Sequence, residues 1–113
     1  MSLEKRLDLI VKILDENKAE EIEKFNLENS EYMANGVVIA TALVDKHLSS
    51  LESELRRKLK PTGEEFLHSD SSDEWIALDL GDIIVHIMTQ KAREKYHLET
   101  FLNEFEAKKA ENS

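Results

Sequence analysis

Apolar residues open the chain at helical spacing. Leu3, Leu7, Ile10, Val11 and Leu14 share one side, while Lys5, Asp8, Lys12 and Asp15 take the other. The spacing predicts an amphipathic helix over residues 3–16, capped by Ser2 and ended at Asn17-Lys18. From Glu20 to Leu27 the pattern weakens, because Ile22, Phe25 and Leu27 do not alternate cleanly. A short edge strand near 21–26 fits this stretch, since charge on an edge discourages stray pairing. Gly36-Val37-Val38-Ile39-Ala40-Thr41-Ala42 is a continuous apolar, β-branched run, the pattern of a strand buried on both faces. Asp45 then offers an N-cap to a helix over 45–59, whose inner face carries Leu48, Leu51, Leu55 and Leu59. On its outer face Glu52 precedes Arg56, and Glu54 precedes Lys58, by four residues, a favourable spacing. Pro61-Thr62-Gly63 stops it. The strand–helix–strand unit that follows is expected to cross over right-handedly.

Trp75-Ile76-Ala77-Leu78-Asp79 and Asp82-Ile83-Ile84-Val85-His86-Ile87-Met88 predict two strands about a Leu80-Gly81 corner, with Gly81 supplying a positive φ. The stretch before them, Ser69-Asp70-Ser71-Ser72-Asp73-Glu74, reads as a polar loop. Thr89 caps a last helical segment carrying Ala92, Tyr96, Leu98, Phe101, Leu102 and Phe105, and its periodicity stumbles near His97, which predicts a bend or two shorter helices. No repeat or low-complexity linker appears. The expectation is a single α/β domain over 1–106, a small mixed sheet flanked by helices, with a frayed polar tail over 107–113.

Charge narrows the partners. The 113 residues hold 15 Lys+Arg against 24 Asp+Glu, a formal charge of −9. A surface of that sign opposes phosphate backbones, so direct nucleic-acid binding is not expected. The basic run Arg56-Arg57-Lys58-Leu59-Lys60 falls at a predicted helix end, where cations complement the dipole. A basic protein partner suits the acidic balance better, because opposite charge speeds encounter. Cysteine is absent, which removes disulfides, thiolate zinc sites and a cysteine nucleophile together. No apolar run reaches membrane-spanning length, and Met1-Ser2-Leu3-Glu4-Lys5-Arg6 lacks signal-peptide order, so a cytoplasmic location is expected.

Candidate chemistry is sparse. His47, His68, His86 and His97 show none of the paired spacings of zinc helices. His86 shares a strand face with Ile84 and Met88, where a packed ring with backbone or carboxylate partners is the simpler reading than catalysis. Asp79 and Asp82 flank the corner and could bind a divalent cation, but aspartates there more often accept backbone N–H bonds that shape the turn. Ser69, Ser71 and Ser72 lack a nucleophile elbow, and three scattered glycines make no phosphate cradle. No catalytic residue, metal site or cofactor is expected. Trp75, on the face of Ala77 and Asp79, is either a core aromatic or the anchor of a binding face that Met88 and Tyr96 could join. Periodicity leaves both open.

The run Asp73-Glu74-Trp75-Ile76-Ala77-Leu78-Asp79-Leu80-Gly81-Asp82-Ile83-Ile84-Val85-His86-Ile87-Met88, followed by Arg93, Tyr96, Leu98 and Glu99, strongly resembles the ribosomal silencing factor family, also called the Iojap family. Val37-Val38-Ile39-Ala40-Thr41 and Asp45-Lys46-His47 resemble that family's first core strand and helix start. The resemblance implies a nucleotidyltransferase-like fold without the catalytic motif, and a non-enzyme. It further implies binding to the large ribosomal subunit through its fourteenth ribosomal protein, steric exclusion of the small subunit, and lowered translation when nutrients are scarce. Trp75, Asp79, Leu80, Met88, Arg93 and Tyr96 match signature positions, and the resemblance implies partner contacts for them, Trp75, Leu80 and Met88 foremost. The chain departs from the family at Ala42-Leu43-Val44, where Gly-Thr-Ser is usual, and at Ser69, where glycine is common. Two rival readings stand beside it: a nucleotidyltransferase using Asp79, Asp82 and His86, or a homodimerisation module pairing through exposed sheet edges.

Overall fold

The computed structural model describes residues 2–111, with side chains through residue 108. Helix α1 spans Leu3–Glu16; Ser2 Oγ accepts the Lys5 N–H at 3.3 Å, and Leu7, Ile10, Ile13 and Leu14 are buried. The chain then turns at Lys18, whose φ of 68° ends the helix. Strand β1, Glu20–Asn26, is an irregular edge whose register slips between Glu20 and Glu23, with Glu21 at φ 46°. Strand β2, Gly36–Ala42, is buried at every position, as a run without polar alternation requires.

Helix α2 runs Asp45–Leu59 and buries Leu48, Leu51, Leu55 and Leu59. Its N-cap is Val44 rather than Asp45, and no side chain caps it. Asp45 instead lies in the first turn, where its charge favours the positive end of the helix dipole. Of the two expected exposed pairs, Glu52–Arg56 forms at 2.9 Å, while Glu54 turns to Arg57 at 2.8 Å and stands 3.9 Å from Lys58. A single 3₁₀ turn, Lys60–Thr62, and Gly63 at φ 96° close the helix.

Strands β3, His68–Ser71, β4, Trp75–Asp79, and β5, Ile83–Thr89, complete a five-stranded sheet of order β1-β2-β5-β4-β3. Only β2 and β5 are parallel, and the other neighbours are antiparallel. β3 replaces part of the predicted polar loop. All four of its residues are exposed, so it has no apolar face by which sequence patterning could find it. The corner between β4 and β5 also sits one residue further on than predicted. Trp75 opposes Met88, Ala77 opposes His86 and Asp79 opposes Ile84, and the Leu80 N–H donates to the Ile83 carbonyl at 2.9 Å. The two corner residues are therefore Gly81, at φ 97°, and Asp82. Leu80 is buried and stays in the ladder, while glycine takes the first corner position, the one that needs a positive φ.

Helices α3, Gln90–Tyr96, and α4, Leu98–Glu111, are separated by His97 at φ 50°. Thr89 Oγ1 accepts the Ala92 N–H at 3.2 Å, the predicted cap. Backbone helix continues past Ala107 to Glu111, and the final two residues of the expected tail lie outside the described residues.

The helices make the two sheet faces unequal. α1 and α2 cover one face, burying Val38, Ala40, Ile76, Leu78, Leu80, Ile83, Val85 and Ile87. α1 approaches the sheet so closely at Gly36 that a Cβ there would lie 2.9 Å from Leu7 Cδ2. On the other face α3 packs on β5 and β2, and α4 on β1, over a smaller core of Phe25, Leu27, Val37, Ile39, Met88, Ala92 and Leu102. That leaves the β4–β3 half of the second face without a helix packed over it. Among the described residues, no helix is long and apolar enough to cross a membrane.

Candidate partner-docking face

Strand alternation brings Trp75, Ala77 and Asp79 of β4 onto the second face beside Ile84, His86 and Met88 of β5. Trp75, Ala77, Asp79 and Ile84 are half-buried, and His86 and Met88 are buried. The Trp75 indole N–H donates to His86 Nδ1 at 3.0 Å, with ring centroids 5.6 Å apart. An imidazole nitrogen accepts only when it carries no proton, so this ring is neutral, with its proton on Nε2. Burial supplies the reason, pushing the His86 pKa down from 6.5 to about 4. On its other side Trp75 meets Tyr96 of α3, centroids 5.0 Å apart, and the Tyr96 hydroxyl reaches Glu74 Oε1 at 3.5 Å. Tyr96 remains 44% exposed, so the two rings make an aromatic ledge open to solvent. Beside the ledge a shallow depression of about 350 Å³ is lined by Asp70, Ser71, Ser72, Trp75 and Ala77. Asp70, Asp73, Glu74 and Asp79, on or beside β3 and β4, give this side an acidic character.

The six signature residues divide four ways. Trp75, Asp79 and Tyr96 stand on the open face. Met88 lies beneath it with no exposed surface, packed among Phe25, Ile39 and Ala92. Leu80 belongs to the opposite core, under α1 and α2. Arg93, expected as a partner contact, is only 4% exposed and turned inward. It donates to the Glu21 carbonyl, to Thr41 Oγ1 at 2.9 Å and to Glu23 Oε2 at 2.5 Å, and stands 3.8 Å from Glu99 Oε2. Its fork thus joins β1, β2, α3 and α4.

The groups of the enzyme reading do not converge either. Asp79 Oδ1 accepts the Gly81 N–H at 2.8 Å, the turn-shaping role predicted for it. Asp82 does something else. Its carboxylate receives Arg6 at 2.6 and 2.8 Å, while the same guanidinium holds Glu64 at 2.8 and 2.9 Å, and Arg6 keeps the Asp82 carboxyl below its ordinary range. His47 bridges the start of α2, accepting the Leu43 N–H at 2.9 Å through Nδ1 and donating from Nε2 to the Asn17 carbonyl at 2.7 Å. Among the described residues no group of three or more His, Cys, Asp or Glu could hold a metal ion.

Sequence reasoning missed the partner of His86, which is neither backbone nor carboxylate but the Trp75 indole. The expected Leu80-Gly81 corner already sets Trp75 opposite His86, and the observed register makes them diagonal neighbours on the same face, so the pairing was within reach of either. The share of Asp70 and Ser71 in the depression carried no such signal, because it depends on β3.

Comparison with known proteins places the whole chain. A "Ribosomal silencing factor RsfS" of Haemophilus influenzae is 30% identical over 95 residues, covering 82% of this chain and 93% of that protein. A "Protein Iojap-related, mitochondrial" of Arabidopsis thaliana is 32% identical over 97 residues, covering 80% of this chain and 53% of that one. Among solved structures, a Chromobacterium violaceum protein superposes with a TM-score of 0.84 at 24% identity, covering 91% of this chain and 88% of its own, and shows the same fold. A Bacillus halodurans protein gives 0.75 at 25% identity, with 87% and 93% covered. The family model described as "Ribosomal silencing factor during starvation" matches residues 1–113, and the chain belongs to that family.

Proposed function

We propose that this protein represses translation by occupation alone. It docks on the large ribosomal subunit, at the fourteenth ribosomal protein, and keeps the small subunit from joining when nutrients are limiting. No bond is made or broken; a tightly held domain makes subunit association compete with its own binding. Family membership supports the class of function. The observation that carries the mechanism is Trp75, a large aromatic left half-exposed on the uncovered half of a sheet and tilted against an exposed Tyr96. Buried aromatic anchors within a polar rim are the usual source of interface affinity. Asp79 and the neighbouring acids would meet a basic surface and speed encounter. Met88, Leu80 and Arg93 serve the face from inside, by holding β5, the corner and α3 in place.

The test is capture of purified large subunits by the full chain, followed by a subunit-joining assay. Wild-type protein is expected to bind and to slow joining, and Trp75→Ala to weaken capture by about tenfold or more while the variant stays folded at the assay temperature. A folded Trp75→Ala variant that binds as wild type does removes this face from the mechanism.

A further inference from the structure

A histidine in the middle of β5 calls for a reason. Its neighbours along the strand are Val85 and Ile87, and its register partners are Ile39 on β2 and Ala77 on β4, all apolar. A valine or isoleucine would fill this place without bringing a polar ring out of water. What histidine adds is an acceptor, and Trp75 uses it. The indole has a single N–H, and at 3.0 Å it is spent inward on His86 Nδ1 rather than outward on solvent or a partner. The bond acts with the Tyr96 contact 5.0 Å away, so the ring is held from both sides and its rotamer is set before anything docks. An anchor already held in place loses less conformational freedom on binding than one free to turn.

We propose that His86 is a positioning residue for the docking face: without touching the partner, it accepts the Trp75 indole N–H, pins the ring against Tyr96, and so sets how tightly the face binds. This rests on the docking role of Trp75 proposed above.

The experiment compares wild type, His86→Leu, which removes the acceptor but keeps an apolar side chain, and His86→Asn, whose Oδ1 can stand near the place of Nδ1. Two quantities are read on the full chain: hydrogen exchange of the indole N–H by NMR on the free protein, and affinity for purified large ribosomal subunits. His86→Leu is expected to speed indole exchange by about tenfold and to weaken capture by about fivefold, with His86→Asn restoring most of both. In a Trp75→Phe background, which has no N–H to hold, adding His86→Leu is expected to change capture less than about twofold. Should the leucine variant fail to fold, His86→Val takes its place. Unchanged indole exchange in the folded variant overturns the positioning role, and so does a capture loss of equal size in the Trp75→Phe background. A wild-type chain that captures no subunits overturns the docking reading instead, and it does so without altering the exchange result.

Discussion

His86 lies in the sheet with its charge suppressed, and that leaves a thermodynamic mark. Burial lowers its folded pKa to about 4, whereas the unfolded chain titrates near the ordinary 6.5. Between those values the unfolded state binds more protons, so stability rises with pH across the window. The contribution is fully present above about pH 6.5 and is lost progressively as pH falls toward 4, where the loss is on the order of 3 kcal/mol. Urea unfolding of the wild type at stepped pH should show this slope, and His86→Leu should flatten it. Protonation of Nδ1 also removes the acceptor of the Trp75 indole, so tryptophan fluorescence of the folded protein should change toward the acid end of the same range.

Among the elements, the β4–β5 hairpin carries the most. Its corner depends on Gly81 at φ 97°, and a Cβ there would sit 3.3 Å from Leu67 Cδ1. Gly81→Ala should cost about 1–2 kcal/mol, read as a lower urea midpoint at unchanged slope, mainly from the left-handed backbone. Capture by large subunits should weaken with it if the corner slips, because a slip of register moves Trp75 away from His86. Long periodic elements were legible in the sequence. α1 and α2 run over the residues their leucine spacing predicts, and the unbroken apolar run of β2 is buried on both faces. What could not be read has a common physical cause, namely partners distant in sequence. β3 exists because β4 offers it a ladder, Asp82 is fixed by Arg6 from 76 residues away, and Arg93 is drawn inward by β1 and β2. The half-exposure of Trp75 likewise follows from where α3 and α4 stop covering the sheet, which its own alternation does not reveal.

At the scale of the whole molecule, two arginines hold the layers together. Arg6 joins α1 to Glu64 and to the hairpin corner on one side, and Arg93 joins α3 and α4 to β1 and β2 on the other. Truncating the buried one should be the more damaging. Arg93→Ala leaves Thr41 and two carboxylates without their cation, a loss of about 3 kcal/mol by analogy with broken buried pairs, measurable by denaturant unfolding. It should also loosen α3, so Tyr96 would leave Trp75 and subunit capture should fall more than the change in stability alone accounts for. The irregular stretch of β1 gains meaning from this contact. With Glu21 at a positive φ, its carbonyl is committed to the Arg93 guanidinium, and the ladder register slips there. That border of the sheet is thereby closed to recruitment, since a foreign chain would find the row of amides interrupted and one acceptor already taken. Any growth of the sheet by a second molecule has to begin at the opposite border, along the short exposed strand beside the tryptophan, so self-pairing and ribosome docking would compete for the same flank.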